Sequence, residues 1–158
     1  MNNLIIREVT LQDVQDLHEL YVNHLTNNPP KEQQDLGKWC ALLRTFVENP
    51  DDYLLVGEVD GKVVSSVRLV IIQNLTQNMR PYAVIENVVT HADFRGRGYA
   101  KALMARASVI ANENNCYKIM LMTGSKLEST LQFYEKCGFN RQDKTAFIKW
   151  LNYEKRRG

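Results

Sequence analysis

Arg95-Gly96-Arg97-Gly98-Tyr99-Ala100-Lys101 brings three cationic side chains and two glycines into seven residues, where a buried strand gives way to a helix. A helix N-terminus offers N–H groups that no carbonyl of the same helix accepts, together with partial positive charge, and the two combine to bind phosphate. Gly96 and Gly98 let the backbone bend and let a ligand approach its N–H groups with no Cβ in the way. Arg95, Arg97 and Lys101 add fork donors and a point charge. A pyrophosphate suits this arrangement best. The plainer reading is a glycine-rich turn with solvated arginines, and spacing alone leaves both open. Two other phosphate motifs are excluded. No glycine precedes Lys-Ser or Lys-Thr, as a P-loop requires, and a Rossmann GxGxxG would need glycine where Lys101 stands.

The elements that must position this loop follow from apolar spacing. Leu4 to Val9 is a short strand. Thr10, with Asp13 three positions on, opens a helix by a capping-box variant, and Val14, Leu17, Tyr21 and Leu25 form its apolar face. Asn27-Asn28-Pro29-Pro30 stops it. A second helix runs from Lys31 or Asp35 to Val47, with Leu36, Trp39, Leu43 and Val47 as its stripe. Tyr53–Val59 and Lys62–Ile72 flank Asp60-Gly61 and make a hairpin, because that dipeptide takes the positive φ of a tight turn. Asn74 to Pro81 is a loop. Tyr82 to Thr90 is a strand buried on both faces. The helix after the glycines carries Ala100, Leu103, Met104, Ala107, Ile110 and Ala111 inward and ends at Asn112–Asn115. Tyr117–Thr123 is the next strand, so the order is a βαβ crossover with parallel strands and a right-handed connection. A last helix, Leu127 to Cys137, ends at Gly138, and Thr145–Leu151 reads as a closing strand. With no repeat or linker, residues 1–158 are expected to form a single α/β domain.

Composition narrows the function classes. Of 158 residues, 44% are apolar and 24% charged, ordinary values for a folded domain. Twenty Lys and Arg against 18 Asp and Glu leave a net +2, too slight a surplus for a nucleic-acid partner. The other basic cluster is the tail Lys155-Arg156-Arg157. Cys40, Cys116 and Cys137 are widely spaced and form no CxxC pair, which supports neither zinc nor a disulfide framework and suits reduced intracellular thiols. A thiol nucleophile wants a histidine partner, and His18, His24 and His91 show no tie to Cys116 or Cys137, so both thiols read as small buried hydrophobes. No signal peptide or membrane-length apolar run is present, and the chain is expected to be cytoplasmic with no membrane partner.

Arg95-x-x-Gly98-x-Ala100, following the strand Ile85–Thr90, resembles the Q/R-x-x-G-x-G/A signature of the GNAT superfamily of N-acetyltransferases. Glu86-Asn87-Val88-Val89-Thr90 precedes it in the family's order, and Phe133-Tyr134-Glu135-Lys136-Cys137-Gly138-Phe139 resembles the family's fYeklGF ending. Together these cover about residues 82–140. The stretch Asn115-Cys116-Tyr117-Lys118-Ile119-Met120 is similar to the glucosamine-6-phosphate N-acetyltransferase branch. That branch has Glu-Asp where this chain has Glu86-Asn87, and an Asp/Asn pattern where this chain has Ser125-Lys126-Leu127-Glu128.

The resemblance implies a GNAT fold: a mixed sheet (α/β, of the α+β mixed type) of six or seven strands flanked by about four helices and splayed between strands 4 and 5. Acetyl-CoA would sit in the splay, its pantetheine pairing with the backbone of Val88, Val89 and Thr90 and its pyrophosphate on Arg95, Gly96, Arg97, Gly98, Tyr99, Ala100 and Lys101. No metal is implied, and coenzyme A is the released product.

Acetyl transfer needs a neutral amine, an oxyanion donor and a protonated leaving thiolate. An alkylamine of pKa near 10 is only about one part in a thousand neutral at pH 7, so a carboxylate nearby is useful. Glu86 is the candidate base, or else a counter-charge for the substrate. Tyr134 is the candidate acid by its place in the motif, or else a core tyrosine. A backbone N–H around Val88 or Val89 would stabilise the oxyanion. Trp39, Tyr21 and Tyr82 either line the acceptor site or pack the core. The expected function is direct acetyl transfer from acetyl-CoA to a primary amine of a small molecule in a ternary complex. Amino-sugar acetylation, protein-amine acetylation and a non-catalytic acyl-CoA sensor are the alternatives, and a homodimer is implied by family analogy.

Overall fold

Strands β2 (Asp52–Val59) and β3 (Lys62–Ile72) are buried along almost their whole length and form the centre of a mixed sheet. The computed structural model describes residues 3–151, which divide into two units between Leu121 and Met122. In the first unit β1 (Ile5–Glu8), β2, β3 and β4 (Tyr82–Thr90) pair antiparallel in that order, and β5 (Ile119–Leu121) joins β4 in parallel. This is the expected α/β sheet, with five strands among the described residues instead of six or seven. Asp60 and Gly61 turn the β2–β3 hairpin with φ of 50° and 79°, the double positive φ that an Asp-Gly turn supplies.

Side chains alternate across the sheet, and its two faces carry different helices. On one lie α1 (Val14–Leu20) and α2 (Leu36–Glu48), packed around Leu17, Leu20, Leu43, Leu54, Val56, Val63 and Val89. On the other lies α4 (Tyr99–Glu113), which buries Leu103, Met104, Ala107, Ile110 and Ala111, the face that its spacing predicts. Gly57, next to inward-facing Val56, meets α4. A Cβ there would stand 3.1 Å from Leu103 Cδ1 and 3.0 Å from Leu4 Cδ1, so the helix sits close because the side chain is missing. The stripe of α2 differs from expectation: Leu36 and Val47 are exposed, while Phe46 packs with Leu43 against the core. Asp35 caps α2 by accepting from the Gly37 N–H at 2.8 Å.

Between β3 and β4 lies a single turn, α3 (Thr76–Met79), in which Gln77, Asn78 and Met79 all have positive φ. In the second unit α5 (Glu128–Lys136) is braced by Arg141, whose Nη2 and Nε lie 2.9 Å from Glu128 Oε1 and Glu135 Oε1. The expected closing strand is not formed. Residues 144–150 have no regular structure, and Phe147 is 89% exposed; apolar alternation makes a strand only where a ladder partner exists. The basic tail at 155–157 lies outside the described residues. No helix among the described residues is long and apolar enough to cross a membrane.

A partly buried ion pair ties the first strand to the first helix. Asp13 accepts from Arg7 through both carboxylate oxygens at 2.8 Å and from the Thr10 N–H at 2.7 Å, closing the expected cap, while Arg7 Nε also donates to Glu58 at 2.9 Å. Burial opposes the Asp13 carboxylate, but Arg7 and Thr10 outweigh it and hold its pKa below the ordinary carboxylate value. A folded-state pKa below the unfolded one adds stability that is complete above the unfolded value of about 4 and is lost as pH falls through the folded value. Asp13→Asn should therefore lower unfolding free energy at pH 7 by about 1–3 kcal/mol. It should also flatten the loss of stability between about pH 4 and 2. Denaturant titrations across that range check both, and an unchanged acid limb would remove Asp13 from the linkage.

Candidate functional site

Strand β4 changes character at Ile85. Ala83, Val84 and Ile85 pair with Ile119, Met120 and Leu121 of β5, and there the parallel ladder ends. Regular β5 is therefore shorter than the expected 117–123. From Glu86 to Thr90, β4 keeps β3 on one side, and no strand of the described residues pairs with the other. The same stretch is bulged: Arg68 pairs with Glu86 and Ser66 with Val89, so Asn87 and Val88 together oppose Val67. Asn87 has φ of 53°, a conformation that asparagine tolerates better than most side chains. A bulge re-aims side chains and bends the strand. Val89 is buried, Val88 and Thr90 half-buried, and Glu86 exposed. Ser65 Oγ holds the end of the stretch, donating to Val89 O at 3.0 Å and lying 2.9 Å from Thr90 Oγ1.

The glycine loop follows after a short turn, Ala92–Phe94, capped by His91 Nδ1 accepting from the Asp93 N–H at 3.2 Å. Gly96 and Gly98 both need positive φ, 74° and 81°, and a Cβ on either would meet nothing within 4 Å. That side of the loop is open. Gly98 O accepts the first helical bond of α4, from Ala102 at 3.0 Å, which leaves Tyr99, Ala100 and Lys101 as the first turn with N–H groups free of intrahelical acceptors. Arg95 is committed to the backbone: its Nε donates to Thr90 O at 3.1 Å and its Nη2 to His24 O at 3.5 Å. Arg97 reaches Asp93 O at 3.2 Å and lies over the Phe94 ring. Arg95 and Arg97 therefore shape the loop as well as charging it, and Lys101 is exposed. The residues present fit a pyrophosphate.

Helix α1 ends in a π-turn, Tyr21–Leu25, closed by Thr26 N–H to Tyr21 O at 3.2 Å; such turns are frequent at functional sites. The turn brings His24 against His91, ring centroids 4.1 Å apart, with His24 Nδ1 accepting from the Ala92 N–H. Burial, then His91 and Arg95, push the His24 pKa down. Tyr21 lies beside the bulge: its hydroxyl is 3.3 Å from Ser66 Oγ, and burial raises its pKa. Trp39 meets Tyr21 edge-on at 6.0 Å and shares Gln34 with His18. Tyr21 and Trp39 thus stand together on the face that Glu86 shares with Arg68. Tyr82 pairs instead with Tyr117, at the end of β4 that β5 covers.

In the second unit, the motif around Tyr134 has a local explanation. Gly138, φ 95°, ends α5 in a Schellman motif: Gly138 N–H bonds Glu135 O at 2.9 Å and Phe139 N–H bonds Tyr134 O at 3.1 Å. The Phe139 and Tyr134 rings meet at 6.5 Å, the apolar contact that accompanies this cap. Tyr134 is half-buried, and burial, then the nearby Cys137, raise its pKa above the ordinary phenol value. Among the described residues no disulfide is formed, and no group of three or more His, Cys, Asp or Glu is arranged to hold a metal.

Sequence reading did not single out Asp52, Ser66 or Arg68, and noted Asn87 only as a departure from the branch's Glu-Asp pair. The signals were present: a lone arginine inside an apolar strand must be paired, and an asparagine interrupting a buried one marks a bulge.

A sequence model of the acetyltransferase (GNAT) family matches residues 14–139. The chain is similar to a glucosamine 6-phosphate N-acetyltransferase of Trypanosoma brucei brucei, 29% identical, over 91% of this chain and 96% of that one. A solved putative acetyltransferase from Agrobacterium tumefaciens superposes with a TM-score of 0.85 at 37% identity, covering 93% of this chain and 99% of its own. An Arabidopsis thaliana glucosamine-6-phosphate N-acetyltransferase shares the fold, with a TM-score of 0.82 at 21% identity over 95% and 99% of the two chains. With the open β4 edge, the glycine loop and a family match across most of its length, this chain belongs to the acetyltransferase (GNAT) family of acyltransferases.

Proposed function

We propose that this enzyme transfers the acetyl group of acetyl-CoA to a primary amine of a small molecule by direct attack in a ternary complex. The observation that carries the reading is the half-open strand β4 leading into a loop whose two glycines both need positive φ and face open space. An unpaired strand edge can add an extended chain such as pantetheine, and Val88, Val89 and Thr90 supply that edge. Gly96 to Lys101, with Arg95 holding the loop on Thr90 and His24, receive the pyrophosphate. Bound acetyl-CoA supplies the thioester carbonyl that the amine attacks. Glu86, exposed on β4, takes the amine proton, directly or through water. A backbone N–H at Val88 or Val89 meets the charge developing on oxygen. Tyr134 donates the proton to the departing sulfur, and its raised pKa keeps the phenol protonated at neutral pH.

Residues 1–158 are read as one N-acetyltransferase domain, which the unbroken family match across 14–139 supports. The narrower acceptor is an amino-sugar phosphate, favoured by the Trypanosoma relative's name. The net charge of +2 agrees with a small-molecule acceptor and with the absence of a nucleic-acid or membrane partner, and the enzyme is placed in the cytoplasm. A homodimer completes the reading, supported by the exposed apolar side chains Phe147, Ile148 and Leu151. Light scattering after gel filtration should give twice the chain mass, and Phe147→Ser with Leu151→Ser should shift it toward the monomer. A wild-type monomer at micromolar concentration removes the dimer.

Acetyl-CoA and coenzyme A should each stabilise the protein by about 2.7 kcal/mol at a hundredfold excess over Kd, with NAD and ATP far less effective in the same thermal scan. Gly98→Asp should abolish that gain. Gly96→Ala should cost about 1 kcal/mol of stability through its φ alone. Equal shifts with all four ligands would indicate a generic polyanion site.

An amine screen that includes glucosamine 6-phosphate, reading released thiol, identifies the acceptor. With it, Tyr134→Phe should lower kcat by about 10²–10⁴, toward the lower end for a thiol leaving group. Acetyl-CoA affinity should change little. The alkaline limb of wild-type kcat that reports this phenol should lie above pH 10, the ordinary value from which it is raised. Wild-type turnover in Tyr134→Phe would reduce this tyrosine to packing, and tight cofactor binding without transfer to any amine would favour a sensor.

A further inference from the structure

Arg68 and Glu86 are direct cross-strand partners on the α1/α2 face of the sheet. Opposite charges in that register normally pair. Here they do not. Arg68 donates instead to Asp52 on β2, Nε to Oδ1 at 3.0 Å and Nη2 to Oδ2 at 2.6 Å. Its guanidinium carbon is also stacked 3.9 Å from the centre of the Phe46 ring. The Asp52 side chain is only 3% exposed and that of Arg68 24%. The fork is thus fixed from two sides, by a buried bidentate carboxylate and by an aromatic face, and Glu86 is left exposed with no ion pair to it among the described residues.

We propose that Asp52 is a positioning residue for Glu86: by holding both ends of the Arg68 fork, it prevents this cation from pairing across the strand and leaves the Glu86 carboxylate free to accept the amine proton. The inference rests on the reading of Glu86 as the base. The physical argument is one of net charge. Paired, Asp52 offsets most of the positive charge that Arg68 presents to Glu86. Unpaired, Arg68 would bring a full positive charge to a carboxylate opposite it, which depresses carboxylate pKa values by about 1–3 units, and a carboxylate that holds its charge more tightly is a weaker base. The ionisable groups that face Arg68 are Asp52 on β2, Glu86 on β4 and Tyr21 from the π-turn. Tyr21 stays neutral at working pH because burial raises its pKa, so Asp52 and Glu86 are the two carboxylates that compete for the guanidinium.

The test titrates Glu86 directly, by carboxyl-carbon NMR of glutamate-labelled protein with Glu86→Gln to assign the signal, alongside turnover. Asp52→Asn keeps the shape of the side chain and removes its charge. The Glu86 pKa should fall by about one unit relative to wild type, and kcat/KM at neutral pH should fall about threefold by the Brønsted dependence. Asp52→Asn/Arg68→Gln removes both charges and should return the Glu86 pKa to the wild-type value and restore turnover. That double variant leaves no buried charge unpaired, so it also serves if Asp52→Asn alone does not fold. An unchanged Glu86 pKa in Asp52→Asn overturns the proposal. So does a rise of about one unit in the double variant, which would mean that Arg68 already acts on Glu86 in the wild type. A depressed pKa with unchanged turnover has a different meaning: it supports the hold of Asp52 on Arg68 and overturns Glu86 as the base.

Discussion

Strand β4 is held on both sides only as far as Ile85, and the rest of the site depends on what happens next. A parallel strand of three residues satisfies the first part of β4 and then departs. The remaining five residues stay in the sheet by pairing with β3 alone, and their bulge at Asn87–Val88 twists them away from a regular ladder. Buried backbone groups are seldom left unsatisfied. A sheet that opens between β4 and its edge strand offers those groups to whatever can meet them, and an extended chain can do so. The loop that follows extends the same logic: Gly96 and Gly98 turn the chain by conformations no Cβ favours and leave their outer side clear.

That opening has to be supported from behind. The central strands β2 and β3 are buried almost throughout, and α4 presses close enough on one face that Gly57 cannot carry a side chain without displacing Leu103 or Leu4. On the other face polar groups stand beside the apolar core: Ser66 and the Tyr21 hydroxyl form one set, Asp52 and Arg68 another. The π-turn that ends α1 belongs to this transition. One extra residue in the last turn carries His24 to the loop after β4, so the first helix grips the glycine loop through the Ala92 N–H and the Arg95 fork.

Much of this was legible in the residues. The boundaries of β3 and β4, the Asp60-Gly61 turn, the inward face of α4 and the Gly138 cap follow from period, turn chemistry and capping, which act over a few residues. The misses share a cause. Thr145–Leu151 has strand composition, yet a strand is a relation between two segments and composition names only one of them. The ends expected for 117–123 were too generous because pairing partners, unlike apolar runs, come to a stop. Leu36 and Val47 kept the helical period of α2, but Phe46 took the inward place. The candidate site divides the same way. Its loop and its Tyr134 motif are contiguous and readable. The group formed by Asp52, Arg68, Glu86 and Tyr21 comes from four separated elements, and only register assembles it.

Two of the ion pairs of the first unit, Arg7–Asp13 and Arg68–Asp52, show why register matters to chemistry and not only to shape. Arg7 and Asp13 join elements that would otherwise be linked by a short turn, and Asp13 also caps the helix, so a structural account of that pair is complete. Arg68 and Asp52 lie within a hairpin already secured by a continuous ladder and a buried core. A buried ion pair there is weak evidence of stabilisation, because the cost of removing two charges from water often cancels the attraction, and well-packed apolar residues would serve as well. What an apolar pair could not do is place a cation opposite Glu86 and keep it occupied. A free guanidinium there would bind the very carboxylate that is proposed to accept the amine proton. Fixing the guanidinium on a buried aspartate and an aromatic ring avoids that pairing by geometry: its charge is offset by Asp52, its directional bonds are spent, and the carboxylate across the strand remains exposed to solvent.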